Sequence, residues 1–234
     1  MKQILNFFKK QKFLKEENYR NYIIPKIQEN TKIITSNDKI SFLHYGHLGD
    51  IINSLPVIKK ISEKKECSLY IQKDKKIPAH VVSRDHPFGN VYLSEKSILK
   101  ILPLLKKQNF LNKVEIYSGQ KIDIDLNFFR DLPINFNIDS VRWYFHLTGV
   151  FPSLTDNYLT ADEVEKYKNY IVIMRSLRRQ NNQIDYSFLD SYDNIIFVGL
   201  KNEYIDLKKK IKKLEYHDSK DFFELASIIK SAKL

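Results

Sequence analysis

An apolar run, Lys39-Ile-Ser-Phe-Leu-His-Tyr45, stops at Gly46-His-Leu-Gly49 and gives way to Asp50, Ile51, Leu55, Ile58 and Ile61. The first stretch has the length of a buried strand. The second repeats apolar residues along one helical face. The chain must therefore turn sharply from strand to helix over a few residues. Two glycines supply that turn and allow a ligand or a second backbone to come close. Asp50 is expected to cap the helix with its side-chain oxygen. Pro56 is expected to bend it, because proline removes a backbone donor.

The same alternation continues along the chain. Residues 14–30 read as a charged helix ending near Pro25 or Asn30. Further strands are expected over 67–72, 113–117 and 122–126, with short apolar runs at 81–82 and 91–93. Helices are expected over 97–107, interrupted by Pro103, and over 140–147, with Trp143, Tyr144 and Leu147 on one side. Gly149, Pro152, Ser153 and Thr155 mark a boundary, after which the order restarts with strands over 170–174 and 194–198 and helices over 202–214 and 221–231. Strands alternating with helices predict parallel sheets. The expected architecture is α/β: a basic helical extension over 1–35, a Rossmann-like unit over 36–155 and a second, incomplete one over 156–234.

The 234 residues hold 39 basic and 28 acidic side chains, a net charge of +11. Such a chain attracts polyanions, and nucleic acid, anionic lipid and phosphorylated small molecules all fit; so does a solvated lysine-rich surface. No RNP motif, zinc finger or basic recognition helix is present, so nucleic acid is not the expected partner. The one cysteine, Cys67, lies in a strand-like run and reads as core; it excludes an internal disulfide and a cysteine zinc site. That suits a cytoplasmic chain. Apolar and lysine residues mix over the first 15 positions, where a short helix either packs on its own domain or touches an anionic membrane at the inner face.

The residues that could carry chemistry gather at the glycine turn. A helix N-terminus presents free N–H groups to an anion. Asp50 is either a cap or a carboxylate able to take a proton from an acceptor hydroxyl. His44 and His47 flank the turn, and His47 is the better placed to touch a ligand. His146 is expected to be packed. Asp123 and Asp125 read as strand-end polar groups. The histidines form no metal-ligand spacing, so neither a metal nor a cofactor is expected.

Leu48-Gly49-Asp50 followed by Pro56 and Lys59-Lys60 resembles the N-terminal signature of heptosyltransferase-like glycosyltransferases (family nine), which have the GT-B fold. The likeness is specific over about twenty residues and general elsewhere. It implies that Asp50 matches the acidic residue proposed there as catalytic base, with Gly46, His47 and Gly49 on the acceptor side. Ile171–Met174 running into Arg175, Ser176, Arg178 and Arg179 resembles the loop that faces the donor diphosphate, and arginine forks suit phosphate oxygens. Gly199 and Glu203 resemble the next turn, where the acid binds the donor's ribose hydroxyls. GT-B enzymes generally do without a bound metal. In that family the donor domain continues past a helix like the one over 221–231, so the expectation is a fragment, or else a truncated relative.

The expected function is transfer of a sugar from a nucleotide sugar, bound between the two units, to a glycan or lipid-linked acceptor in surface polysaccharide assembly. Two other readings stand beside it: a basic anion- or nucleic-acid-binding protein, and an inactive transferase relative acting as a partner.

Overall fold

A computed structural model describes residues 16–78, 90–131, 139–176, 181 and 183–233. The chain is α/β and divides into two compact units: Met1–Ile98 with Gln108–Leu159, and Leu99–Lys107 with Thr160–Leu234. The run at 81–82 lies outside the described residues, as do the first 15 positions.

In the first unit, strands β1 (Lys39–His44), β2 (Glu66–Ile71), β3 (Lys113–Ile116) and β4 (Ile124–Asp125) form one parallel sheet in the order β3-β2-β1-β4. Helix α1 (Ile24–Ser36) precedes β1, and α2 (Leu48–Ser62) links β1 to β2. Helix α3 (Glu95–Lys106) follows β2 in the chain and belongs to the second unit from Leu99 on, and α4 (Ser140–Thr148) follows β4. Every other residue of β1 is buried, Ile40, Phe42 and His44 among them. Ile51, Leu55 and Ile58 of α2 are fully buried too. The strand and helix periods read from sequence thus meet in one core. Cys67 belongs to that core, and burial pushes its thiol up to about 12.

The N-terminal helix does not stop at Pro25. A π-helical turn, Tyr19–Ile23, leads directly into α1, where Pro25 sits in the first turn. Ile24 N–H bonds back to the Tyr19 carbonyl, and this wider turn accommodates the proline's missing donor. Buried Asn30 donates to the Leu147 carbonyl at 3.0 Å and so ties α1 to the end of α4. Gly149, at φ 69°, terminates α4 in the left-handed conformation.

In the second unit, β5 (Ile171–Ile173), β6 (Ile195–Val198) and β7 (Glu215–His217) form a parallel sheet in that order, with α5 (Lys201–Lys208) and α6 (Phe222–Ser231). β6 is buried throughout and feeds two clusters. Ile195 and Phe197 pack with Leu207, Ile211 and Leu214, while Ile196 and Val198 pack with Tyr167 and Ile228. This split is the two-residue period of a strand covered on both faces. The helix expected over 202–214 ends at Lys208. Ile211 and Leu214 still reach the core, but from a turn, and β7 follows at once. Helical spacing of apolar residues was satisfied by burial without a helix.

Phe197 is fully buried at the centre of its cluster. Phe197→Ala is expected to cost about 3–5 kcal/mol, seen as loss of hydrogen-exchange protection across β5–β7 and a lower urea midpoint.

Candidate functional site

The order β3-β2-β1-β4 reverses direction between β1 and β4, since the chain steps outward from β1 to β3 and then returns to its other side. Parallel α/β sheets bind ligands outside the carboxyl ends of their strands at such a point. Here those ends are His44, Tyr45 and Gly46 after β1, and a 3-10 helix, Leu126–Asp131, after β4.

Helix α2 begins earlier than the sequence implied. His47 is its N-cap and Asp50 its third residue, so Gly49 lies within the first turn and only Gly46 is part of the sharp bend. Asp50 still caps, in reverse: its Oδ2 accepts the His47 N–H at 3.0 Å. The same oxygen accepts from Arg130 Nη2 at 3.0 Å. Among the described residues both side-chain hydrogen bonds of Asp50 fall on Oδ2. The carboxylate is partly exposed, 21%, as is Arg130, 23%. Among the described residues only Oδ2 of Asp50 is anchored.

Arg130 is fixed from several sides. Its guanidinium lies 4.3 Å from the Phe129 ring centre and 4.5 Å from that of Tyr92. Its Nη1 donates to Asn127 Oδ1, which also accepts the Tyr45 N–H. Asn127 Nδ2 donates to the Leu43 carbonyl and to Asp125. Asn127 thus binds β1 to the segment after β4 and sets Arg130 in place. His47 packs on Tyr92, and its Nδ1 lies 2.9 Å from the Tyr92 carbonyl oxygen.

Beneath the turn runs a buried chain of hydrogen bonds. Gly46 N–H donates to His44 Nδ1, so Nε2 must carry the His44 proton and donate to Tyr144 Oη. Tyr144 in turn donates to the Asp50 backbone carbonyl at 2.9 Å. Burial, helped by the Arg130 charge, lowers His44 to about 3 and keeps it neutral. Burial raises the Tyr144 hydroxyl well above its ordinary value, so it remains a donor.

The donor-side sequence candidates lie in the second unit. Arg175 is drawn inward: its side chain is 8% exposed, its Nη2 bonds Asp206 Oδ2 at 2.7 Å, and it lies 5.2 Å from the Tyr186 ring centre. Ser176 is exposed. Glu203 is buried on the first turn of α5, near Gly199. Arg178 and Arg179 lie outside the described residues. In the first unit, Asp123 binds the Ser41 hydroxyl and N–H and serves the sheet. His146, expected to be packed, is exposed edge-on to Phe151, because the buried face of α4 runs through Tyr144, Phe145 and Leu147.

Gly46, His47 and Asp50 are therefore brought together as expected, whereas Arg130, Asn127, Tyr92 and Tyr144 were not foreseen. A usable signal was the run Asp125-x-Asn127-x-x-Arg130 directly after a predicted strand. Among the described residues no group of three or more His, Cys, Asp or Glu side chains could hold a metal ion, and no helix is long and apolar enough to cross a membrane. Comparison with protein-family models, with curated proteins and with solved structures finds no match to this chain.

Gly46 has no room for a side chain. A Cβ there meets His44 Cε1 at 2.6 Å, Asp50 Oδ2 at 2.8 Å and Arg130 Nη2 at 2.9 Å. Gly46→Ala is expected to destabilise by about 1–3 kcal/mol and to part Asp50 from Arg130; denaturant midpoints check the first effect. The pH dependence follows from His44. Its folded value, about 3, lies below the ordinary 6.5, so its contribution to stability is complete above pH 6.5 and is lost as pH falls toward 3. The slope is up to ~1.4 kcal/mol per pH unit. Urea midpoints between about pH 6.5 and 5 should fall in the native chain and fall less in His44→Gln.

Proposed function

We propose that this protein is a glycosyltransferase of the GT-B type in which Asp50 removes the proton from an acceptor hydroxyl. The observation that carries the reading is a carboxylate at the reversal of strand order, anchored among the described residues through one oxygen only. A general base must be held still and yet reach its proton. The Arg130 and His47 N–H bonds do the holding, and the partly exposed carboxylate does the reaching. Its resemblance to the heptosyltransferase-like signature at Leu48-Gly49-Asp50 and Pro56 supports the same assignment.

A nucleotide sugar is the donor in this reading, and its diphosphate leaving group is assigned to Arg175 and the basic residues that follow it in sequence. Positive charge there stabilises the departing nucleoside diphosphate. Because Arg175 is held by Asp206, its contribution is made from a braced position rather than by a free side chain. The acceptor is a glycan or a lipid-linked glycan.

Asp50→Asn keeps the hydrogen-bonding shape but cannot take a proton. It is expected to retain nucleotide-sugar affinity and to lose ~10²–10⁴-fold in turnover, measured by calorimetry and by release of nucleoside diphosphate. Undiminished turnover removes Asp50 from the role of base. Absence of nucleoside diphosphate affinity in the native chain removes the transferase reading altogether.

A further inference from the structure

Helix α5 of the second unit turns Leu207 into the core and leaves Lys201 and Ile205 on an outer stripe that its C-cap, Lys209, continues at the same four-residue spacing. Ile205 is 51% exposed between those two lysines. Past the end of the helix, Lys210, Lys212 and Lys213 are exposed as well. Lys213 is spoken for, with Nζ on Asp193 at 2.8 Å and its N–H on Asp190 Oδ1. Lys208 caps the Lys212 and Leu214 carbonyls. Among the described residues, no salt bridge engages Lys201, Lys209, Lys210 or Lys212.

Those same bonds place a second segment beside the lysines. Asp190 lies in the 3-10 helix Ser187–Ser191, whose Leu189 packs on Leu207, Ile211 and Leu214. That helix turns Phe188 outward, 59% exposed, and Tyr192 follows it at 49%. Of the nearby acids, Asp193 is paired with the Lys213 ammonium, Asp190 accepts only the Lys213 N–H, and Asp185 accepts from the Ser187 hydroxyl and N–H while also feeling the Lys210 charge. Apolar side chains thus stand out of a surface on which lysines outnumber carboxylates.

We infer that this face of the second unit, Lys201, Ile205, Lys209, Lys210 and Lys212 with Phe188 and Tyr192, docks on an anionic lipid surface. The lysines meet the headgroup charge, and Phe188, Tyr192 and Ile205 enter the boundary between headgroups and chains. An aliphatic residue at the centre of the stripe favours lipid over nucleic acid, where stacking calls for rings and planar cations. The assignment does not depend on the transferase reading.

The test is co-sedimentation of the full chain with vesicles of phosphatidylcholine alone and of phosphatidylcholine mixed with phosphatidylglycerol. Binding is expected only to the anionic vesicles. Each lysine near such a surface is worth about fivefold in affinity, so K209E/K210E/K212E should weaken binding about a hundredfold or more. Phe188→Ser with Tyr192→Ser should weaken it about tenfold without removing its salt dependence. All five positions are exposed, so the variants should keep the native circular dichroism. The inference is overturned by absence of binding, or by unchanged binding in the lysine variant while replacing Lys2, Lys9, Lys10 and Lys12 by Gln abolishes it. It is also overturned if a single-stranded oligonucleotide binds more tightly than the vesicles and is released by the same lysine reversals.

Discussion

Gly46, His44, Tyr144 and the Asp50 carbonyl form a hydrogen-bonded chain in which each donor has a single acceptor and each tautomer is dictated by the next bond. Because the chain is buried, breaking one link leaves a polar group without water to replace it. The turn after β1 therefore has one geometry. That geometry brings the Asp50 side chain under the His47 N–H and against Arg130. The position of α2, the start of its first turn and the presentation of the carboxylate all follow from it.

The second anchor is Asn127. It bonds Tyr45 and Leu43 on one strand and Asp125 on the other. It is nearly fully buried, so these bonds are made away from solvent. Arg130 then sits on Phe129 and Tyr92 with its donors aimed at Asn127 and Asp50. A flexible, strongly charged side chain is held here by two rings and two oxygens, and the loss of rotamer freedom is offset by contacts on several sides. This is how a partly exposed ion pair acquires a defined position where most are loose.

The second unit works differently. Its sheet has three short strands, and its core is two small clusters on either side of β6. Arg175 is recruited into that packing through Asp206 and Tyr186. Charge that does not enter the packing is left on the outer face of α5 and the turn after it, beside exposed rings. One short unit thus separates an inward-facing arginine from outward-facing lysines.

Local pattern in the chain determined the elements that bury whole faces. The glycine break at 46–49 demanded a strand and then a helix, and alternating or helical apolar spacing located β1, β2, β6, α2 and α6. Pattern misled where burial can be met in more than one way. The apolar positions 211 and 214 suited a helix but serve a turn, and Pro25 suited a stop but lies inside a helix that a π turn widens. The three-residue strand Glu215–His217 carries too little apolar signal to be seen. Asp50 and His47 were legible because they sit beside the break itself. Arg130, Asn127 and Tyr144 were not, since they stand 77 to 94 positions away from Asp50 and meet it only when β4 pairs beside β1 and α4 packs on α2. Periodicity reports which side of an element faces the core; which distant side chains converge at one end of a sheet is decided by strand order, and strand order exists only in the folded chain.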